Sequence, residues 1–512
     1  MKFFLRVKGK KKYALCFLFG LILTLALPPF YIFAALFAFA PFLLLLNSCQ
    51  SRKQAFATGW WFGFGFFVAG LYWIANALLI DPLKFAWLIP FAVCGLPAIL
   101  AICLGLVAVL TYMLPRPGWR RIVIFAGFWL LMEIARSYLF TGFPWNLIGY
   151  SWDFSDSFIQ IASVTGIWGL SFIAVLFGAM PYVFLQPEIS RKQRIIFPAI
   201  ILAIMAAIFI FGMIRLDGAI MWGRKLQVNL IQANIPQTLK WNPAEAKENF
   251  MRHLELTSYT DKKLADNLIV WPESAVPFLL QEQPELLRAI TDVMPHGAYL
   301  ATGGIRLEGN QRENSRYWNS FFVIDDEADI LGVYDKSHLV PFGEYVPFRK
   351  FLPFIEKVAG GMGDFSVGGG PKTINLPDGI KIGPLICYEI IFPHQVVESE
   401  NRPDIIVNVT NDGWYGFSTG PYQHFETARM RAVEEGIPVI RAANSGISGA
   451  IDRYGRVIAR LGLNKKGNLQ SEIVLPNRGE NYTKTTFGRF GAAAIILIVF
   501  ISGFFAAFIK KS

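Results

Sequence analysis

Three side chains of different chemistry each end a strand-like run in the second half of this 512-residue chain. Glu273 ends NLIVWPE, Lys336 ends ILGVYDK and Cys387 ends KIGPLIC. Layered α/β folds place reactive groups at strand ends, so we expect these side chains to meet in one site. A carboxylate can take the proton of a thiol, and an ammonium can lower the thiol pKa and hold the negative charge of a tetrahedral intermediate. The set predicts nucleophilic catalysis by Cys387.

Each of these residues also has an ordinary structural explanation. A Glu or Lys at a strand end is most often solvated, and a cysteine is often buried and inert. Cys387 has no disulfide partner within its own region, because the other four cysteines all lie in the apolar first half (Cys16, Cys49, Cys94 and Cys103). The five histidines are scattered and no CxxC or HExxH pattern occurs, so we expect neither a metal site nor a cofactor.

The three residues lie in a stretch, 215–487, whose charged residues are frequent and whose apolar runs are short. Its length suits one large hydrophobic core. Short β-rich runs alternate with helical stretches, which predicts a layered α/β domain. We predict helices at 243–260 and 421–435, and strands at 226–232, 267–271, 298–302, 319–324, 382–387, 404–409 and 437–441.

The rest of the chain is much more apolar. Overall, 54% of residues are hydrophobic and only 17% are charged, with a mean hydropathy of +0.41. These values exclude a disordered chain and argue against a wholly soluble one. Runs of roughly 17–25 apolar residues can cross the hydrocarbon core of a bilayer. We predict eight such spans, at 13–29, 31–47, 55–80, 86–114, 122–139, 158–185, 195–214 and 488–508.

The first apolar run could instead be a cleaved signal peptide, because it follows a basic start. The next apolar run begins at once, with no polar segment between them, which argues against cleavage. Pro28 and Pro29 predict a hairpin turn between two spans.

Basic residues in the loops are strongly asymmetric. Five alternate segments (1–12, 48–54, 115–121, 186–194 and 509–512) hold sixteen Lys and Arg. The short loops that alternate with them (28–31, 80–85 and 140–157) hold only Lys84. Positive loops stay in the cytoplasm, so both termini are predicted there and 215–487 on the far side. We therefore divide the chain into a seven-span membrane domain (1–214), a catalytic domain (215–487) and a final span with its tail (488–512). The net charge of +11 reflects this topology and predicts no nucleic-acid partner.

Longer motifs surround the three reactive residues: WPES at 271–274, YDKSHLVPFGEYVP at 334–347, ICYE at 386–389, the stretches 408–424 and 429–449, and, in the apolar half, GFPWN at 142–146. The Glu, Lys and Cys motifs and their order resemble the nitrilase, or carbon–nitrogen hydrolase, superfamily. With seven spans before and one after, the chain resembles the apolipoprotein N-acyltransferase family of diderm bacteria.

The resemblance implies an αββα sandwich over residues 220–480 and a bacterial inner-membrane enzyme with a periplasmic catalytic domain. It also implies a ping-pong reaction in lipoprotein maturation. Cys387 would take an acyl chain from a phospholipid as a thioester, and the N-terminal α-amine of a diacylglyceryl-cysteine apolipoprotein would then receive it. Glu273 would be the general base and Lys336 the oxyanion stabiliser, with the Tyr388 amide as a second donor.

Four further residues have two interpretations each. Glu344 and Glu389 would support the three reactive residues in the family, but each could equally be a hydrogen-bonded structural carboxylate. Tyr388 could line the acyl pocket or only pack. Trp241, in LKW after a strand, could touch a lipid or be an exposed turn aromatic.

Two other features have competing explanations. Glu133 and Arg136, three residues apart in the fifth span, predict an internal ion pair that fixes packing, whereas Arg136 could alternatively meet a lipid phosphate. The segment 345–371 combines an apolar stretch containing Phe351 and Phe354 with two glycine clusters. It could be a lid that dips into the membrane surface, or an ordinary packed loop.

Two other functions compete with acyl transfer. A membrane-tethered amidase or nitrilase would use the same three residues with water as acceptor, but it has no need of eight spans. A transporter or non-catalytic lipoprotein carrier should have paired polar residues near the middle of the membrane, and the predicted spans mostly lack them.

Overall fold

The computed structural model describes residues 7–114, 118–187, 189–218, 223–261, 267–309, 316–351, 356–358, 363–476 and 484–508, with side chains to residue 501. The chain forms two compact units. The helical unit comprises Met1–Ala75, Trp87–Ala219 and Lys484–Ser512, and the sheet unit comprises Asn76–Ala86 and Ile220–Thr483.

Apolar runs form the helical unit. Within the part of the chain that the structure describes, four continuous helical stretches are long and apolar enough to cross a membrane: Arg52–Leu78, Pro82–Met113, Ala162–Leu185 and Arg191–Asp217. They confirm a multi-span α-helical membrane protein, while the number of crossings stays a prediction. The other four predicted runs contain shorter or more charged helices: Lys10–Leu23, Phe33–Asn47, Trp119–Tyr138 and Ala493–Phe508.

Small residues allow a close helix contact in this unit. A Cβ atom on Gly59 would lie 2.3 Å from the Leu104 carbonyl oxygen, and one on Gly63 would lie 2.9 Å from the Leu104 Cβ. The helix Arg52–Leu71 can approach Leu96–Met113 this closely because neither glycine carries a side chain.

The two buried charges of the helix Trp119–Tyr138 hold the segment that follows it. Glu133 Oε1 accepts hydrogen bonds from the Trp129 indole and the Ile148 amide, both at 2.9 Å. Arg136 donates to the carbonyl oxygens of Phe143 and Trp145, at 2.6 and 2.7 Å. Arg136 thus fixes the GFPWN segment to the helix, and Glu133 fixes Ile148 just after that segment.

The sheet unit contains two six-stranded sheets. One has the order β12-β1-β2-β3-β4-β5 and the other β11-β10-β9-β8-β7-β6. In each sheet three successive central strands run parallel and the outer neighbours are antiparallel. The strands are β1 Lys225–Gln232, β2 Asn267–Val270, β3 Tyr299–Glu308, β4 Arg316–Ile324, β5 Ile330–Asp335, β6 Ile374–Asn375, β7 Lys381–Ile386, β8 Ile405–Thr410, β9 Val439–Ala443, β10 Ser448–Ile451, β11 Val457–Leu461 and β12 Gly467–Val474.

The sheets face each other across one core, with helices outside. Side chains of alternate positions in β1, such as Val228 and Leu230, share a buried cluster with Ile382 and Val407 of the other sheet. The helix Ala246–Thr257 covers the outer face of the first sheet through a second cluster. The helix Gly420–Glu435 covers the second sheet, where a Cβ on Gly449 would lie 2.8 Å from the Phe425 ring. This layering confirms the predicted αββα sandwich.

All seven predicted strands and both predicted helices are present, with ends shifted by a few residues. The strand-like run before Lys336 is β5. The strands β6, β10, β11 and β12 were not predicted, because β6 and β10 are very short and β11 and β12 lack a buried apolar run.

Candidate active site

The three reactive residues lie beyond the ends of strands in both sheets. Glu273 comes three residues after β2, Lys336 directly follows β5, and Cys387 directly follows β7. All three side chains are buried. The three residues thus follow strand ends in two sheets, and the charges of Glu273 and Lys336 act on the Cys387 thiol.

Lys336 lies between two carboxylates. Its Nζ is 3.0 Å from Glu344 Oε1 and 3.8 Å from Glu273 Oε1. The Asn319 amide bridges the same two oxygens, at 2.9 and 2.8 Å. Burial acts to lower the Lys336 pKa, but the charges of Glu344 and then Glu273 outweigh it, so the pKa lies above its ordinary value. The site thus holds a permanent buried cation.

Glu273 has one engaged and one unengaged oxygen. Oε1 accepts from Asn319 and faces Lys336, whereas Oε2 is buried and has no hydrogen-bond partner among the residues described. A buried carboxylate oxygen without a partner is ready to accept a proton.

Cys387 begins a short 3₁₀ helix, Cys387–Ile391, with φ at +50°. Its Sγ lies 4.0 Å from the Tyr415 hydroxyl. Burial, followed by the charge of Glu273, raises the Cys387 pKa to about 12, although Lys336 acts to lower it. From the sequence we expected the Lys336 ammonium to lower the Cys387 pKa, whereas burial and Glu273 together raise it. The resting thiol is therefore protonated at neutral pH, so attack requires a base.

Comparisons with known proteins place both units. Residues 19–180 match the family described as apolipoprotein N-acyltransferase N-terminal domain, and residues 227–481 match carbon-nitrogen hydrolase. An apolipoprotein N-acyltransferase from Rhodopseudomonas palustris is 38% identical over 510 residues, covering 96% of this chain and 94% of its own. The chain belongs to the apolipoprotein N-acyltransferase family. A second member, from Rhizobium rhizogenes, is 42% identical over 491 residues and 91% of each chain.

Among solved structures, a carbon-nitrogen hydrolase from Helicobacter pylori aligns with 49% of this chain and 89% of its own, at 17% identity and a TM-score of 0.36. Glu273, Lys336 and Cys387 all lie within the carbon-nitrogen hydrolase match. Membership of the apolipoprotein N-acyltransferase family sets aside the transporter and carrier interpretations.

In this apolipoprotein N-acyltransferase family member, the Glu389 carboxylate links the residues after Lys336 to the residue before Cys387. Its Oε1 accepts from the Tyr334 hydroxyl at 2.7 Å and from the backbone amides of Ser337 and His338, while Oε2 accepts from the Ile386 amide at 2.8 Å. These bonds hold the chain around Lys336 against the end of β7, directly before Cys387. Glu344, in contrast, contacts Lys336 directly.

The two aromatic candidates differ in their surroundings. Tyr388 is buried, with its ring edge-on to Phe392 at 5.1 Å between centroids. Trp241 is 39% exposed, after the short helix Gln237–Lys240. Their roles stay predictions.

Sequence reasoning missed three polar residues at the site. Asn319 and Tyr415 contact the reactive side chains as described, and Lys240 donates from Nζ to the Glu273 carbonyl oxygen at 2.7 Å. Burial lowers the Lys240 pKa to about 8, against the opposing charges of Glu273 and Cys387. Lys240 had a signal in the sequence, because it adjoins Trp241 after a strand, whereas Asn319 lies within a strand-like run that showed none.

Proposed function

We propose that the protein transfers an acyl chain from a phospholipid to the N-terminal α-amine of a diacylglyceryl-cysteine apolipoprotein, through a thioester on Cys387. Family membership supports N-acylation of apolipoproteins in a membrane setting. The observation that carries the mechanism is the convergence of a protonated thiol, a carboxylate with a free oxygen and a buried cation.

In the first half-reaction, Glu273 Oε2 takes the thiol proton as Cys387 Sγ attacks the ester carbonyl carbon of the phospholipid. Negative charge develops on the carbonyl oxygen, where the Lys336 ammonium stabilises it, with the Tyr388 amide as second donor. The C–O bond then breaks, and the lysophospholipid oxygen leaves with the proton held by Glu273. The acyl chain remains on Sγ as a thioester.

In the second half-reaction, the acceptor α-amine attacks the thioester carbon. Glu273 takes a proton from the amine nitrogen, and the same cation stabilises the oxyanion. The C–S bond breaks, the amide forms, and the departing thiolate recovers a proton from Glu273. The base and the thiol return to their starting states.

The supporting residues have distinct proposed roles. Glu344 and Asn319 fix Lys336 and Glu273 relative to each other, and Glu389 holds the Lys336 and Cys387 loops together. Trp241 and Tyr388 are proposed substrate contacts.

Family membership supports a location in the bacterial inner membrane, and the charge asymmetry of the loops supports an orientation across it. We infer that both termini are cytoplasmic and that the catalytic domain, 215–487, is periplasmic between a seven-span domain (1–214) and the last span.

The decisive experiment incubates purified protein with a phospholipid labelled in its acyl chain. Wild-type protein should acquire a label that hydroxylamine removes, and Cys387→Ser should not, because a serine hydroxyl is far less acidic than a thiol. Adding a diacylglyceryl-cysteine peptide should move the label to the peptide amine. Labelling of Cys387→Ser at the wild-type rate would exclude the nucleophile, and free fatty acid as the sole product would indicate a hydrolase.

A further inference from the structure

A fully buried polar network lies beneath Cys387. It consists of Asn408 on β8, Asp412 after it, His424 on the helix Gly420–Glu435 and Arg441 on β9, each at most 1% exposed. The proposed chemistry uses none of them. Burial of this many polar groups requires that each be satisfied, and here the bonds converge on one backbone atom.

That atom is the carbonyl oxygen of Cys387. His424 Nε2 lies 3.2 Å from it, and Asn408 Nδ2 donates to it at 3.4 Å. Asn408 is itself held, because its Oδ1 accepts from Arg441 and its Nδ2 also donates to the Leu385 carbonyl at 3.3 Å.

The partners of His424 define which nitrogen carries the proton. Arg441 Nη2 lies 3.0 Å from Nδ1 and donates to both oxygens of Asp412, at 2.8 and 2.7 Å. Asp412 Oδ1 is also 2.9 Å from Nδ1 and accepts from the Thr410 hydroxyl at 3.0 Å. Burial and the charge of Arg441 lower the His424 pKa to about 4, so the ring is neutral and holds one proton. Because a carbonyl oxygen can only accept, the proton that makes the Nε2 contact with Cys387 a hydrogen bond lies on Nε2. Nδ1 then accepts from Arg441, whose guanidinium also neutralises the Asp412 oxygen beside it.

Fixing this carbonyl fixes the reactive groups on either side of it. A trans peptide unit is planar, with its C=O and N–H directed oppositely, so the Cys387 carbonyl sets the direction of the Tyr388 N–H. The same carbonyl sets ψ of Cys387, a non-glycine residue at φ +50°, which is a conformation that surrounding contacts must hold.

We propose that His424, together with Asn408, is a positioning residue for acyl transfer: it holds the Cys387–Tyr388 peptide so that Sγ faces the ester carbon and the Tyr388 N–H faces the developing oxyanion. This inference rests on the proposed thioester on Cys387. His424 itself touches no reacting atom. Asp412 and Arg441 hold the histidine in place.

Two substitutions at His424 separate positioning from packing. The amide nitrogen of a glutamine reaches about as far as Nε2, whereas that of an asparagine reaches about as far as Nδ1. His424→Gln should therefore keep the bond to the Cys387 carbonyl and lose the contact with Asp412. His424→Asn should do the reverse.

The measurement is the single-turnover rate of thioester formation on Cys387, followed by intact-protein mass spectrometry over a range of phospholipid concentrations. His424→Asn should slow the maximal rate by on the order of 10²-fold, as small misplacements of reacting groups do, with an unchanged half-saturating lipid concentration. The rate of His424→Gln should remain within about tenfold of wild type, since this variant loses only the contact with Asp412, which lies farther from the reacting atoms than the Cys387 carbonyl. Thermal unfolding in detergent, compared between the two variants, provides the folding control.

The proposal is overturned if the two variants have equal rates, or if His424→Asn is the faster one, since the Asp412 contact would then be what matters. It is also overturned if the rate loss only follows the loss of thermal stability. An absence of thioester in the wild-type protein would instead refute the proposed function, so the two failures are distinguishable.

Discussion

Cys387 is a thiol that waits for its substrate in the protonated form. Burial and the neighbouring Glu273 raise its pKa to about 12, so Lys336 alone does not generate a thiolate. Such a site avoids oxidation and alkylation of its nucleophile until a base removes the proton during attack.

Alkylation of Cys387 should therefore keep accelerating with pH. Below its pKa, the thiolate fraction rises about tenfold per pH unit, so the rate with neutral iodoacetamide should still rise between pH 9 and 10. Peptide mass spectrometry at Cys387 measures this rate separately from the other four cysteines. Lys336→Met should lower the rate at each pH, because the cation favours the thiolate. A plateau below pH 9 would indicate a preformed thiolate.

The base and the cation should each be required for thioester formation. Glu273→Gln removes the proton acceptor and should slow the step by about 10²–10⁴-fold. Lys336→Met should slow it by about 10²–10³-fold, the usual loss for one oxyanion donor. Lys336→Met also leaves two buried carboxylates without their cation, so one of them will take up a proton.

Glu472→Gln is the matched control. Glu472, on the outer strand β12, forms an exposed ion pair with Lys225 of β1. Its rate should equal that of wild type. Normal thioester formation in Glu273→Gln would assign the base to another group.

At the scale of single residues, the sequence predicted the three reactive groups because each follows a strand-like run. It did not predict the net pKa of Cys387, which depends on burial. It also missed His424 and Arg441, although a charged residue within the apolar run IPVIRAA has to be paired. Which residue pairs with it depends on the arrangement of β8, β9 and a helix, and one chain segment does not reveal that.

The segment that follows Glu344 connects the site with a set of exposed aromatic side chains. Phe348 and Phe351 are 78% and 80% exposed, while Phe354 lies outside the described residues. The segment is anchored by Arg349 paired with Asp364. The Phe365 amide donates to the Glu344 carbonyl at 3.0 Å. Exposed aromatics on a segment bonded to the site support the lid interpretation.

Removing these aromatics should impair the reaction only when the donor is in a bilayer. Phe348→Ser with Phe351→Ser should slow transfer from vesicle phospholipid by about tenfold or more, given roughly 1.5–3 kcal/mol per buried aromatic anchor. Transfer from a short, water-soluble acyl ester should not change.

Tyr259→Ser, at a comparably exposed aromatic (59%) beyond the end of the helix Ala246–Thr257, is the control and should affect neither donor. Equal losses with both donors would indicate a folding defect and count against a lid.

At the scale of elements, strands with a buried apolar run were predictable, since periodicity reports burial. The outer strands β11 and β12 were not, because their side chains are largely exposed or intermediate, and β12 pairs with the distant strand β1.

The orientation of the whole molecule should follow its basic loops. A reporter that is active only in the periplasm should be active when fused after residue 480 and inactive when fused after residue 512. A reporter that is active only in the cytoplasm should give the opposite result. In sealed cells, a membrane-impermeant thiol reagent should reach Cys387 if the thiol is accessible in detergent. Reaction with a permeant reagent alone would contradict the predicted orientation.

One short segment of the apolar half belongs to the sheet unit. The sequence places 76–86 at the end of a span and its loop, yet this segment groups with the sheet unit. Asn76 Nδ2 donates to the Tyr415 carbonyl at 2.7 Å, and Lys84 pairs with Glu356 at 3.5 Å. These contacts join positions 339 and 272 residues apart, and the hydropathy of the sequence does not reveal them.

The bond between Asn76 and Tyr415 also imposes an order on biosynthesis. Tyr415 is the 339th residue that the ribosome adds after Asn76. At about 5–20 residues per second, the early segment waits roughly 20–70 s for its partner. Throughout that interval the nascent chain already lies among phospholipids, the proposed acyl donors. Because Cys387 and the strand β8 are also made late, the growing polypeptide has no assembled thiol site that could take up acyl chains before translation is nearly complete.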